Sequence, residues 1–294
     1  MESISILVVT KNRSVLLKKC LQSLEAQKQK PWEVVVIDNG SADDTKKIVD
    51  SYLCTLNLRY YYTKVFGYPK VYNYGLLRCR GKWVIFFDDD CIAVPSWFSA
   101  ILRVIHKHPG AVIQGRTESI PSGNIYAQIM GDHYKNWLRA NMVGTKRLLT
   151  FDNKNLCVPR WVIERYGTFN ETLIHGSEDI ELGIRYARHG VSIMYEPSII
   201  AYHHEQDTLA GFISQHIRIA RSEALLDRRL KKHDRIGVSS VQKIILYLRS
   251  LIKREIMYVR HGQILNLLKL PFLYFLLAVI RIRTYYMTVW GIQK

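Results

Sequence analysis

The chain lacks several features that would assign it to a class at once. Its five cysteines (Cys20, Cys54, Cys79, Cys91 and Cys157) are odd in number, widely spaced and without a C-x-x-C pair. That argues against a disulfide frame or a zinc site, and for reduced thiols in a cytosolic setting. The start, Met1-Glu2-Ser3-Ile4-Ser5-Ile6, has neither a basic n-region nor an apolar h-region, so no signal peptide is expected. No uninterrupted apolar run reaches about 18 residues, so a plain membrane-spanning helix is not indicated. The first apolar strand is not followed by G-x-G-x-x-G, which argues against a nicotinamide or flavin cofactor. Acidic residues are scarce at one end. From Arg218 onward 16 basic residues face 4 acidic ones, and this stretch holds most of the net charge of +17. Such asymmetry marks a surface that meets something anionic: phospholipid, polyanionic glycan or nucleic acid.

What is present is organised around Trp83-Val84-Ile85-Phe86-Phe87-Asp88-Asp89-Asp90. Five apolar residues without polar alternation read as a strand buried on both faces. The strand runs into three carboxylates, which repel one another unless a cation shares the site. On an extended chain Asp88 and Asp90 point to one side and Asp89 to the other. A divalent metal held by this D-x-D pair is one reading; a solvated acidic turn capping the helix near Ser96 is the other.

The 294 residues, 48% hydrophobic, suffice for a large α/β domain with an appendage. Ile4–Thr10, Glu33–Ile37 and Leu58–Thr63 read as strands, with helices from Val15 to about Gln27 and from Asp43-Asp44-Thr45. Gly67–Gly75 reads as a turn-rich segment, followed by a short helix to Cys79. Alternating strands and helices with short links predict a parallel, Rossmann-like sheet, whose ligands bind at the carboxyl ends of the strands. Asp38 falls at such an end. It can accept hydrogen bonds from a base or ribose, or simply cap the Asp38-Asn39-Gly40-Ser41 turn.

The ordered motifs Val8-Val9-Thr10-Lys11-Asn12-Arg13, Val36-Ile37-Asp38-Asn39-Gly40-Ser41, Asn73-Tyr74-Gly75 and Gly81–Asp90, continued by Gly167–Glu171 and Gly176–Arg185, resemble the family 2 glycosyltransferases of the GT-A fold. The resemblance covers roughly the first 220 residues. It implies a GT-A catalytic domain over residues 1–220, while the charge and apolar spacing of residues 221–294 read as a basic, helical, membrane-associating tail. It also implies that Thr10, Arg13 and Asp38 hold the nucleoside of a sugar-nucleotide donor and that Asn73 and Gly75 line the nucleotide pocket. Asp88 and Asp89 would lie at the donor, with Asp90, Asp88 and His203 holding Mn²⁺ or Mg²⁺. His204 is the second choice for that histidine. Asp179 would be the general base for an acceptor hydroxyl, and Glu178 would orient the acceptor. On pattern alone these two are also good first-turn residues of a helix capped by Ser177. Two positions depart from the family pattern: Asn39 stands where a second acid is frequent, and Tyr72 where Arg or Asn is frequent. Gln215-His216-Ile217-Arg218 resembles the Q-x-x-R-W element of processive synthases, but Ile219 stands in place of the tryptophan, so a single transfer is expected. Arg218 and Arg221 are candidate diphosphate contacts or a solvated helix face.

The expected activity is transfer of a sugar from a UDP-sugar, or a dTDP-sugar, to a glycan or lipid-linked acceptor with inversion. A non-catalytic scaffold that keeps the fold is the alternative. In the tail, Val241 to Ile252 and the run Leu270–Ile280 follow apolar helical patterns with Lys and Arg between and around them. They suit an anionic membrane surface at the cytoplasmic face, or packing on the domain. Nucleic acid is not an expected partner, because the tail's charges alternate with aliphatics rather than with stacking aromatics.

Overall fold

The computed structural model describes residues 3–174, 176–229, 252, 254–257, 259–260 and 264–291. The chain forms two compact units, one of residues 1–118, 143–174 and 178–204, the other of residues 119–142, 175–177 and 205–294.

The first unit is built on a large sheet. Its strands are β1 (Ile4–Thr10), β2 (Glu33–Asp38), β3 (Leu58–Tyr62), β4 (Trp83–Phe87), β5 (Cys91–Ala93), β6 (Val112–Ser119), β7 (Met142–Val143), β8 (Arg147–Leu148), β9 (Asn155–Pro159) and β10 (Ile193–His203). Their order is β3-β2-β1-β4-β9-β6-β10-β8-β7, with β5 on β10. The pairings β1–β2, β2–β3 and β1–β4 are parallel, as alternating strands and helices predict. Beyond β4 the direction reverses, since β9 pairs antiparallel with both β4 and β6. All five residues of β4 are buried, because neighbouring strands pair with both edges and side chains cover both faces.

The reversal at β9 positions the site. Phe87 pairs with Asn155, so the chain entering β9 lies beside the carboxyl end of β4, and Asp88 N–H donates to Lys154 O at 3.3 Å. His203 pairs with Cys91 across β10 and β5, which returns the end of β10 to the acidic turn.

Helices α1 (Ser14–Glu25), α2 (Thr45–Asp50), α3 (Tyr68–Leu76), α4 (Trp97–Lys107), α6 (Arg160–Tyr166) and α7 (Glu178–Arg188) belong to this unit. The segment expected as a turn is helix α3. Gly67 breaks the chain at φ 97°, and Pro69, near the helix start, falls where a missing N–H costs nothing.

The second unit holds α5 (Ile125–Asn141), α8 (Leu209–Arg229) and a C-terminal helix, α9 (Ile264–Val289). The expected boundary at residue 220 does not coincide with this division. Ile125, Ile129 and Met130 of α5 bury their side chains with Phe212 of α8 and Leu270, Leu273 and Leu277 of α9. Helix α9 is also longer than the apolar run Leu270–Ile280 suggested. It continues through Arg281 and Arg283, and Leu268–Val289 is long and apolar enough to cross a membrane by length and composition. The other expected tail helix, Val241–Ile252, lies outside the described residues except for Ile252.

Candidate active site

The acidic triplet does not keep the alternation of an extended strand. Cys91 N–H donates to Asp88 O at 3.0 Å, so the chain turns there and all three carboxylates find different surroundings. The Tyr72 hydroxyl donates to Asp88 Oδ1 at 3.0 Å. Arg13 Nη1 donates to both Asp89 Oδ1 at 3.0 Å and Asp90 Oδ2 at 2.9 Å. His203 Nε2 stands 3.3 Å from Asp90 Oδ1. His204 contributes only its backbone N–H, to Asp90 O at 3.0 Å, among the contacts described.

These surroundings separate the acids electrostatically. Burial, then Asp90 and Asp152, push Asp88 up to about 7, against the pull of Lys154 and His203. Burial and Asp90 raise Asp89 to about 6, while Arg13 and Thr10 draw it back. Burial would also raise Asp90, but His203, Arg13 and Lys154 outweigh it and hold this carboxyl well below the usual range. Asp90 is thus the member that keeps its charge to the lowest pH. Burial works against the charge on Arg13, and Asp89 and Asp90 more than offset it.

Asp179 is the second residue of α7, which begins at Glu178 after two left-handed residues, Gly176 at φ 121° and Ser177 at φ 63°. Its Oδ1 accepts from Ile180 N–H at 2.8 Å. Burial and the neighbouring Asp152 raise it to about 7, against that hydrogen bond and Lys154. Glu178 is buried beside it and acts on Tyr72 electrostatically, as Asp88 does.

Asp152 and Lys154, absent from the sequence-based candidates, connect the two halves of the site. Lys154 Nζ lies 2.6 Å from Asp152 Oδ2, and Lys154 N–H donates to Asp152 Oδ1 at 2.9 Å. This pair is in the electrostatic surroundings of both Asp88 and Asp179. The available signal was an acid and a base two residues apart at the entrance to an apolar strand, which places both on one side of an extended chain.

The nucleoside candidates are distributed differently. Thr10 and Asp38 are both buried and sit opposite each other in register on β1 and β2. Asp38 Oδ1 accepts from Ser41 N–H and Oδ2 from the Tyr60 hydroxyl, each at 2.8 Å, so the turn-capping role and further acceptor capacity coexist. Asn73 is engaged within the fold: its amide donates to Phe169 O at 2.9 Å and Glu171 Oε1 at 3.0 Å, and its Oδ1 accepts from Phe169 N–H at 3.0 Å. Gly75 lets α3 close on the sheet, since a Cβ there would meet Leu7 Cδ1 at 2.5 Å and Ile37 Cγ1 at 3.0 Å. Asn73 thus braces α3 against the loop at Phe169 and Gly75 permits close packing of α3 on the sheet. Arg218 and Arg221 lie on α8, in the second unit. Asp43, just before α2, accepts from Thr45 and from Ser14 N–H at the start of α1, which holds it down at about 2 against slight burial.

Among the described residues, no group of three or more His, Cys, Asp or Glu side chains forms a closed metal cage. Of the expected set, Asp90 and His203 form a close pair, and the Tyr72 hydroxyl orients Asp88 through Oδ1. The chemistry still fits a hard cation, because buried Asp90 Oδ1 makes no hydrogen bond of good geometry. Mg²⁺-type sites commonly use one or two carboxylates and leave the remaining positions to substrate phosphates and water.

Acids gathered at the carboxyl ends of strands on a sheet of this order mark where a ligand binds. The model of glycosyl transferase family 2 matches residues 5–167, and the chain belongs to that family. It is 25% identical to a chondroitin synthase of Escherichia coli over 240 residues, 69% of this chain and 35% of that protein. It is 36% identical over 106 residues, 35% of this chain and 34% of the relative, to a GalNAc(5)-diNAcBac-PP-undecaprenol beta-1,3-glucosyltransferase of Campylobacter jejuni. The chain thus spans about a third of the length of these curated relatives. A solved mannosyltransferase of Pyrobaculum calidifontis, in complex with GDP-Man and Mn²⁺, superposes with a TM-score of 0.68 at 17% identity, covering 99% of this chain and 88% of that one. At that identity the likeness establishes the fold, that of the GT-A glycosyltransferases.

Proposed function

We propose that the chain moves a sugar from a nucleotide-sugar, a UDP-sugar first and a dTDP-sugar second, to a hydroxyl of a glycan or lipid-linked glycan, with inversion and with a divalent cation. The observation that carries this reading is that the segment before β9 touches both regions: Lys154 O accepts from Asp88 N–H at 3.3 Å, and the Thr150 hydroxyl donates to Ile180 O, next to Asp179, at 2.9 Å.

Asp179 takes the acceptor proton. A carboxylate raised to about 7 is half ionised at neutral pH yet basic enough to accept a proton as a hydroxyl attacks. Glu178 orients the acceptor. Thr10, Arg13 and Asp38 hold the nucleoside, and the grip of Arg13 on Asp89 and Asp90 ties that end of the donor to the acids. Asp90, with Asp88 and His203, would hold Mn²⁺ or Mg²⁺, which offsets charge on the departing nucleoside diphosphate. Lys154 adds a fixed positive charge to the same region, anchored by Asp152. The basic C-terminal stretch attaches the enzyme to an anionic membrane, on the cytoplasmic face, where lipid-linked acceptors for cell-envelope polysaccharides reside.

A panel of nucleotide-sugars with Mn²⁺, scored by release of nucleoside diphosphate, tests the reading. Asp90→Ala and Asp179→Asn should each nearly abolish transfer, while only Asp90→Ala markedly weakens metal-dependent donor binding. Undiminished turnover in thorough chelator would remove the metal role. Full activity of Asp179→Asn would remove the base.

A further inference from the structure

Helix α9 has two unlike faces. Leu270, Leu273 and Leu277 are buried against α5 and α8. On the same side Arg281 pairs with Glu223 at 2.6 Å, and the Tyr285 hydroxyl donates to Asp227 at 2.8 Å. The opposite side carries Leu268, Phe272, Phe275, Val279, Ile282, Tyr286 and Trp290, with Phe272 65% and Phe275 70% exposed. At about 100° per residue these seven fall in a stripe roughly 80° wide, and about 33 Å long at 1.5 Å per residue. Lys269 and Arg283 are exposed along its border, and the helix contains no acidic residue.

We propose that this stripe is the membrane-binding surface, and that α9 lies in the plane of an anionic bilayer instead of crossing it. The inference rests on the membrane attachment proposed above and specifies its surface and orientation. A helix crossing the bilayer must present apolar atoms all round or pair its polar face with other spanning helices. The inner face of α9 is committed to α8 through Arg281–Glu223 and Tyr285–Asp227. Crossing would either break these contacts or draw the charged residues of α8 into hydrocarbon, where each is costly. In-plane binding keeps every contact. It buries the large apolar side chains at the level of the acyl chains, and leaves Lys269 and Arg283 among anionic headgroups with Tyr286 and Trp290 at interfacial depth. The charge selects lipid over a second copy of this chain, since two such faces would oppose like charges.

The full chain is tested by flotation with vesicles of phosphatidylcholine alone or mixed with phosphatidylglycerol. Wild-type protein should float with the mixed vesicles and at least about tenfold more weakly with the neutral ones. Phe272→Ser/Phe275→Ser should reduce binding about tenfold or more, and Lys269→Gln/Arg283→Gln should reduce it on mixed vesicles only. Both variants should keep the wild-type circular dichroism and release of nucleoside diphosphate with a water-soluble acceptor. A C-terminal epitope on protein bound to sealed vesicles should stay open to external protease. Protection of that epitope would show crossing and overturn the in-plane arrangement. Normal flotation of Phe272→Ser/Phe275→Ser would overturn the assignment of the surface. A concentration-dependent dimer abolished by the same variant, without vesicle binding, would assign the face to self-association. Absence of turnover with every donor, with flotation as expected, would defeat the proposed activity and leave this inference standing.

Discussion

Lys154 Nζ stands 2.6 Å from Asp152 Oδ2, and the charges of this pair act on both Asp88, just after β4, and Asp179, in the first turn of α7. Carboxylates from distant parts of the chain are therefore coupled through a third segment that neither motif contains. The coupling has consequences that can be measured.

The pH dependence of transfer should report the base. Asp179 is raised to about 7, so log kcat/KM should climb with a slope near one below that pH and level off above it. Asp152→Asn removes a like charge and should move the midpoint down, while Lys154→Met removes a cation and should move it up, each by about one unit. A midpoint unmoved by either substitution would uncouple Asp179 from the pair. The same shift affects stability with the opposite sign to a salt-bridged acid. The folded chain holds this proton more tightly than the unfolded chain, so the Asp179 contribution to stability falls as pH rises from about 4 to about 7.

Tyr72→Phe is expected to be a metal-affinity variant. The ring packs against Phe86 and Phe169 at centroid distances of 5.9 and 5.2 Å, and phenylalanine keeps those contacts. Only the hydrogen bond to Asp88 Oδ1 is lost. The Mn²⁺ concentration for half-activation should rise about tenfold to a hundredfold, with the melting temperature nearly unchanged. An unchanged Mn²⁺ titration would show that Asp88 needs no such anchor.

Gly75→Ala separates packing from pocket lining. The added Cβ would sit 2.5 Å from Leu7 Cδ1, and the strain should cost about 1–3 kcal/mol of stability. The donor KM should stay at the wild-type value. A raised KM at unchanged stability would restore Gly75 to the nucleotide pocket.

Asn155→Leu should weaken the sheet behind the site. Asn155 Oδ1 accepts from Trp97 Nε1 at 2.9 Å, and its amide donates to Ile199 O at 3.1 Å and Arg116 O at 3.2 Å. Leucine leaves a buried indole N–H and two carbonyls without these partners, at about 1–3 kcal/mol for each group not rescued by water. Thermal unfolding should therefore drop by several degrees. A melting temperature equal to wild type would show that the network is dispensable.

The sequence by itself determined the parts whose physics is local. Unbroken apolar runs specified β1, β2 and β4, and alternation with helices specified the parallel half of the sheet. The acidic triplet at a strand end and the Glu178-Asp179 helix start were legible because charge placed against a buried run needs a reason. Tertiary structure alone decided the rest. That β9 runs against β4, and so delivers Asp152 and Lys154 to Asp88, depends on strand direction, which no local pattern encodes. That the acidic triplet turns, giving Asp88 to Tyr72 and Asp89 and Asp90 to Arg13, depends on side chains contributed by α3 and by the turn before α1. That α5 belongs with α8 and α9 depends on which apolar faces meet. A residue's own neighbours in the chain fix its tendency to be strand, helix or turn, but a carboxylate's charge state is fixed by the dielectric and the counter-charges around it, and folding alone brings those within range.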